Sequence, residues 1–280
     1  MQKVTIGILT FNRINTLLRS IDSILNQSYD NIEIIVMDND SSDGTDYYIR
    51  KYYPNIKFIR LPYNIGCPSG RNHIHANATG EIIVNLDDDA YLDIDAIKNL
   101  VDVFNADKCI GVVSMGIRFI EKDENIIHDK GWFEVSTFRG TASAIRKKMI
   151  NEIGGYPENF LMDEEQHLSI RAIDAGYKIV HCESAFVWHP FEDGTGNGKF
   201  DYYRYRNALL NVVELFPGWL FAKYLILRLG SNAIYSIRRK NFEKYFAAVL
   251  YLVSNLPKIL SLRSPCSKKS VLKYIRYRKL

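Results

Sequence analysis

The stretch EIIVNLDDDAYLD, residues 81–93, decides how the chain is read. Glu81–Leu86 has the short, continuously apolar character of a buried strand, and Asp87, Asp88 and Asp89 follow at once. Like charges repel, and carboxylates resist leaving water. Three aspartates at a strand end therefore need either a solvated turn or a divalent cation. Asp87 and Asp89 lie two apart, so both can reach one side of a loop. Mg²⁺ or Mn²⁺ takes carboxylate oxygen together with phosphate oxygen and water.

Working outward, three more apolar runs precede this one. Val4–Phe11 and Ile32–Met37 read as buried strands, and Lys57–Leu61 as a shorter one. Between them, Asn15–Gln27 places Leu17, Leu18, Ile21, Ile24 and Leu25 on one helical face, and Thr45–Tyr53 and Ser69–Asn77 read as helices. The β-α-β-α-β-α-β order predicts an α/β fold with a mostly parallel sheet and helices on both faces. Asp93 is expected to cap a helix carrying Ile94, Ile97, Leu100, Val101 and Phe104. Further on, Glu164–Ala175 reads as a helix, and Lys178–Val180 and Ala185–Trp188 as two short strands. Gly194–Gly198 reads as a mobile loop. Helices are expected at Phe200–Leu215, Trp219–Arg238 and Phe242–Leu252.

Charge divides the chain near residue 198. Residues 199–280 carry 17 Lys/Arg against 3 Asp/Glu, an excess of 14. Residues 1–198 carry 19 against 29, a deficit of 10. The basic part is interleaved with Tyr, Phe, Leu and Trp, which suits an anionic surface. No run of 18 uncharged apolar residues occurs, so no transmembrane helix is expected. No leader is expected either, because Met1–Thr10 already reads as a strand. The four cysteines, Cys67, Cys109, Cys182 and Cys266, form no CxxC pair. They read as reduced thiols of a cytosolic protein without structural zinc.

In a parallel sheet the ligand sits at the carboxyl ends of the strands. Those ends carry Thr10-Phe11-Asn12, Asp38-Asn39-Asp40, Pro62-Tyr63-Asn64 and Asp87-Asp88-Asp89. A second acidic cluster, Asp163-Glu164-Glu165, opens the Glu164 helix, where carboxylates also favour the helix N-terminus. His189 follows the last predicted strand.

VTIGILTFNR, VMDNDSSDGT and NIGCPSGRNHIHANATGEIIVNLDDDA, in that order and spacing, resemble the GT-A glycosyltransferases of family 2, within their rhamnosyltransferase-like subgroup. The resemblance covers roughly residues 3–210. It implies a GT-A, Rossmann-like domain over 1–198, with a nucleotide-sugar half at about 1–105 and an acceptor half at about 106–198. A basic amphipathic helical region follows over 199–280. It implies an inverting transfer of one sugar from a nucleotide-diphospho-sugar to a glycan or lipid-linked acceptor in surface polysaccharide synthesis, with a divalent cation, Mn or Mg, as cofactor. By the same resemblance Thr10, Asn12, Asp38 and Arg71 line the nucleoside pocket, with Arg71 at the base or its phosphates. Asp87 and Asp88 contact the donor, Asp87 also serving the metal. Asp89 and His189 ligate the metal, and Glu165, preceded by Glu164, is the catalytic base. Arg204 or Arg206 is a candidate for the diphosphate. Glu165 stands where Asp is more usual, and His167 replaces an acidic residue. The QxxRW motif of processive synthases is absent, which favours one sugar per encounter. The basic tail is expected on the inner face of the cell membrane, without nucleic acid as a partner.

Three other readings use the same residues. DNDSS is similar to a haloacid-dehalogenase phosphatase nucleophile loop, but that loop follows the first strand of its sheet and this one follows the second. A sugar nucleotidyltransferase needs a glycine-rich basic loop that is missing after Phe11. A non-catalytic sugar-nucleotide binder or membrane scaffold has no need of the full carboxylate set.

Overall fold

The structure, a computed structural model, describes residues 1–120, 131–190, 198 and 200–277. The first half runs β1 (Val4–Thr10), α1 (Ile14–Leu25), β2 (Ile32–Asp38), α2 (Thr45–Tyr52), β3 (Lys57–Arg60), α3 (Cys67–Asn77), β4 (Ile82–Asp87), β5 (Tyr91–Leu92) and α4 (Ala96–Ala106). Then come β6 (Ile110–Phe119), β7 (Trp132–Glu134), β8 (Ala142–Arg146), α5 (Lys147–Ile153), α6 (Glu164–Asp174) and β9 (Lys178–His189). Five helices complete the described chain: α7 (Asp201–Leu215), α8 (Gly218–Arg238), α9 (Phe242–Ser254), α10 (Leu256–Ser261) and α11 (Lys268–Tyr277). The Gly194–Gly198 loop lies outside the described residues except for Gly198.

The sheet order is β3-β2-β1-β4-β8-β6-β9-β5, with β7 also on β9. β3, β2, β1, β4, β6 and β9 run one way, and β8, β5 and β7 run against them. From β1 the chain moves outward to β2 and β3, then returns to β4 on the other side. That reversal between β1 and β4 makes the crevice where open α/β sheets bind ligands.

Burial on both faces explains the apolar runs. Ile6, Ile8 and Val84 pack with Leu17 and Ile21 of α1 and with Leu100 and Phe104 of α4. On the opposite face Ile35, Met37 and Ile83 meet Ile74 of α3. Ile74 is wholly buried, worth about 1.5–3 kcal/mol. It fits because Gly7 has no side chain, and a Cβ there would overlap Ile74.

Several expectations shift. Leu25 is exposed, so the α1 apolar face narrows to Leu17, Ile21 and Ile24, with Leu18 partly buried against the same core. Asp93 does not cap α4, whose N-cap is Asp95; its carboxylate instead accepts from Asp95 N at 3.3 Å, making a local turn. The two short strands before His189 are one strand, β9, bent by an irregularity. A single core spans the charge divide: Val112, Leu168 and Ile173 pack with Val212, Leu215, Leu220, Val271 and Tyr274. Among the described residues no helix is long and apolar enough to cross a membrane.

Candidate active site

β1, β2 and β4 end in register, with Thr10 beside Asp38 and Leu9 beside Asp87, so their terminal polar residues share one rim. Thr10 donates from Oγ1 to Asp88 Oδ2 at 2.8 Å. Asn12 has left-handed backbone, φ 55, and its Oδ1 accepts from Ser42 N at 2.7 Å. That pairing ties the loop after β1 to the loop after β2. Asp38 is buried; its Oδ1 accepts from Ser41 N at 2.9 Å, and its Oδ2 has no partner among the described residues. A buried carboxylate oxygen without a donor is costly, and an N–H group of a ligand relieves it.

The Asp89 carboxylate is held by residues far apart in the chain. β5 pairs with β9, Tyr91 opposite Trp188, and this brings His189 back to Asp89. His189 Nε2 lies 3.2 Å from Asp89 Oδ1, and Arg13 Nη1 lies 2.6 Å from Asp89 Oδ2 and 3.4 Å from Asp88 Oδ1. Donor atoms of Asp87, Asp89 and His189 all lie within 4.8 Å of one another. His189 Nδ1 donates to Pro190 O at 2.7 Å, which leaves Nε2 as the ring's ligating nitrogen. A backbone carbonyl holding the far nitrogen is the usual support of a metal-bound histidine. The two carboxylates suit a hard divalent cation such as Mn²⁺ or Mg²⁺, and the imidazole favours Mn²⁺ of the two.

Without a cation, these groups neutralise one another. The Asp89 hydrogen bond lifts His189 to about 9. Burial pushes Asp89 up, but His189 and Arg13 outweigh it, and its carboxyl lies below the ordinary value. Burial drives Asp88 up to about 6 against its Thr10 hydrogen bond and Arg13.

Arg71 is turned into the protein between two acidic groups. Its Nη2 donates to Asp87 Oδ1 at 2.9 Å, while Nη1 lies 3.6 Å from Glu164 Oε1 and 3.7 Å from Glu165 Oε1. Asp163, at φ 62, begins α6 with a left-handed residue, and the two glutamates occupy its first turn. Burial raises both carboxyls above the ordinary value, with Arg71 pulling the other way. Gly140 closes this corner. β8 lies antiparallel to β4, Asp87 N bonds Thr141 O at 3.2 Å, and a Cβ on Gly140 would overlap Glu165 Oε1 and the Arg71 guanidinium.

Thus Thr10, Asp87, Asp88, Asp89, His189, Arg71, Glu164 and Glu165 form one connected network, while Asn12 and Asp38 sit on the flanking loops. His167 turns away, its Nε2 3.1 Å from Glu214 Oε2 of α7. Arg206 is buried, bonds Asn159 O, and lies over the Tyr203 and Tyr251 rings. Arg204 lies 3.6 Å from Asp201 Oδ1. Arg13 and Gly140 were not singled out from sequence. Arg13 could have been, since it directly follows Asn12 in the TFNR motif. Gly140 had no signal, because its meaning is an approach between distant segments.

The chain is 28% identical over 210 residues to the O-antigen chain rhamnosyltransferase RfbN of Salmonella typhimurium, covering 67% of this chain and 66% of that one. It is 31% identical over 180 residues to the GalNAc(5)-diNAcBac-PP-undecaprenol beta-1,3-glucosyltransferase of Campylobacter jejuni, covering 59% and 58%. The chain spans about half to two thirds of the length of such relatives. The fold matches the mannosyltransferase PcManGT from Pyrobaculum calidifontis, solved with GDP-Man and Mn²⁺, at a TM-score of 0.63 and 20% identity over 98% of this chain and 79% of that one. That fold is the GT-A fold of glycosyltransferases. The model of "Glycosyl transferase family 2" matches residues 5–166, more than half of the chain, and the protein belongs to that family.

Proposed function

We propose that the protein transfers one sugar from a nucleotide-diphospho-sugar to a hydroxyl of a glycan or lipid-linked acceptor, with inversion and with a divalent cation at Asp87, Asp89 and His189. One observation carries this reading: the single Arg71 guanidinium touches both Asp87 of the metal-type cluster and the Glu164–Glu165 pair. The groups needed by a departing diphosphate and by an attacking hydroxyl thus stand one side chain apart.

Each residue then has a task. Asp38 Oδ2 accepts from a ring N–H of the base, and Thr10 and Asn12 shape the nucleoside pocket. Asp87, Asp89 and His189 hold the cation, and Asp88 supports them through Thr10. A bound Mn²⁺ or Mg²⁺ supplies positive charge that offsets the negative charge growing on the diphosphate. Glu165 takes the proton from the acceptor hydroxyl. Arg71 favours the ionised form of Glu165, offsetting part of the effect of its burial. The hydroxyl adds to the anomeric carbon as the diphosphate leaves from the opposite face, so the configuration inverts. The sugar carries oxocarbenium character at that moment, as in glycoside hydrolysis.

The names of the Salmonella and Campylobacter relatives support a place in surface polysaccharide synthesis. The basic helical region, with Ile226, Ile237, Phe246 and Val253 exposed, supports a seat on an anionic cytosolic membrane face. The deciding experiment is a panel of nucleotide sugars with Mn²⁺ or Mg²⁺ and glycan or prenyl-linked acceptors, scored by nucleoside diphosphate release. Metal-dependent release that requires both substrates is expected. No release across the panel from protein that binds Mn²⁺ and nucleotide would replace this reading with a non-catalytic binder.

A further inference from the structure

β6 and β9 pair regularly from Val112 opposite Ile179 to Met115 opposite Cys182, and then the pairing jumps to Gly116 opposite Phe186. Glu183, Ser184 and Ala185 are left over as a bulge. Bulges beside active sites re-aim side chains. This one turns Glu183 into a cleft of about 460 Å³, shared with Phe119, Phe133, Thr137, Arg139 and His181. That size lies within the range of small-ligand sites, about 300–1,000 Å³.

The cleft meets the catalytic groups at two ends. Phe119 is the β-partner of His189. Thr137 Oγ1 lies 3.4 Å from Ser169 Oγ, and Ser169 gives its one hydroxyl hydrogen to Glu165 O at 2.6 Å, one turn from the proposed base. Arg139 directly precedes Gly140, which packs on the Glu165 carboxylate.

We infer, resting on the transfer reading above, that this cleft seats the acceptor's sugar ring, with Phe133 against its C–H face and Glu183 and Arg139 on its hydroxyls. Phe133 is 59% exposed beside charged neighbours, its ring 5.4 Å from that of His181. Leaving such apolar surface in water gains the fold nothing. Glu183 is oriented by His181 Nε2 at 2.7 Å and by Arg118 Nη2 at 3.5 Å, and its two oxygens keep further acceptor capacity. A ring with one apolar face and an edge of donating and accepting hydroxyls satisfies all of these groups. An aliphatic chain would take water from Glu183 and Arg139 and return no hydrogen bond.

Saturation-transfer NMR with the methyl glycosides of rhamnose, glucose, galactose and mannose tests this directly. At least one glycoside receives saturation from the unaltered chain, and the signal falls about fivefold or more in Phe133→Ala and in Glu183→Gln. Both side chains reach solvent, so both variants are expected to fold. Equal signals in the unaltered chain and both variants, or no signal from any glycoside, would overturn the assignment. Calorimetry of nucleoside diphosphates with Mn²⁺ reads the donor half separately. If none of UDP, GDP, dTDP, CDP and ADP binds with Mn²⁺ while a glycoside does so through Phe133 and Glu183, the transfer reading fails and the cleft stands as a sugar site.

Discussion

At the residue scale, the site is a set of charges balanced without a cation. Arg13 pairs with one carboxylate oxygen of Asp89, a member of the metal-type cluster, and it is half exposed. An exposed ion pair is worth about 0.2–1 kcal/mol. Arg13→Ala is therefore expected to tighten Mn²⁺ binding up to about fivefold, read by calorimetry on the nucleotide-free protein. Asp89→Asn removes a proposed ligand and is expected to weaken that binding at least about tenfold. As the proposed base, Glu165 is expected to carry the pH dependence. Arg71, Glu164, Asp163 and Asp87 face it, and burial holds its carboxyl above the ordinary value near 4.3. A base acts only when ionised, so kcat/KM falls as pH drops through that raised pKa, and the acid limb lies above pH 4.3. Glu165→Gln removes the limb together with about 10²–10⁴ of the rate. An acid limb at the ordinary carboxylate value, or a Gln variant of full activity, would remove Glu165 from the mechanism.

At the element scale, antiparallel insertions complete the site. β8 lies between β4 and β6 and delivers Gly140 to Arg71 and Glu165; β5 folds back on β9 and delivers His189 to Asp89. Gly140→Ala adds a methyl where those two side chains lie, and displacing reacting groups by about 1 Å can cost about 10²-fold. The expected outcome is a kcat lower by that order with a smaller loss of Mn²⁺–nucleotide affinity, since Arg71 also holds Asp87 while the loops after β1 and β2 are untouched. Equal losses in both would place Gly140 in the donor site instead. The α/β alternation of the first half was legible because each parallel strand is buried on both faces and reads as an apolar run. Asp93 misled as a cap because the two-residue strand β5 is too short to leave a periodic signal.

At the scale of the whole molecule, the basic helices are joined to the sheet rather than hung from it. Leu220, Val271 and Tyr274 share a core with α6, and Tyr274 donates to Gln166 Oε1 at 3.2 Å in its first turns. Cutting the chain after Leu215 would open that core, so membrane seating is better tested by charge. Lys223, Lys258, Lys268 and Lys269 are exposed. Each basic residue near an anionic bilayer is worth about 1 kcal/mol. Changing all four to Glu is expected to weaken flotation with phosphatidylglycerol vesicles about a thousandfold or more, with the melting temperature held as a control. Unchanged flotation would discard the membrane seat. The amino-acid sequence by itself determined the strand-and-helix alternation of the first half, the polar clusters at the strand ends and the charge divide, because periodicity, burial and charge are local properties of the chain. Only the tertiary structure decided that Arg71 spans Asp87 and Glu165, that Arg13 and His189 share Asp89, that Glu183 is turned into a cleft by a bulge, and that one core crosses residue 198. Those are meetings of residues dozens of positions apart, and their geometry is fixed by strand order and register, which no local pattern encodes.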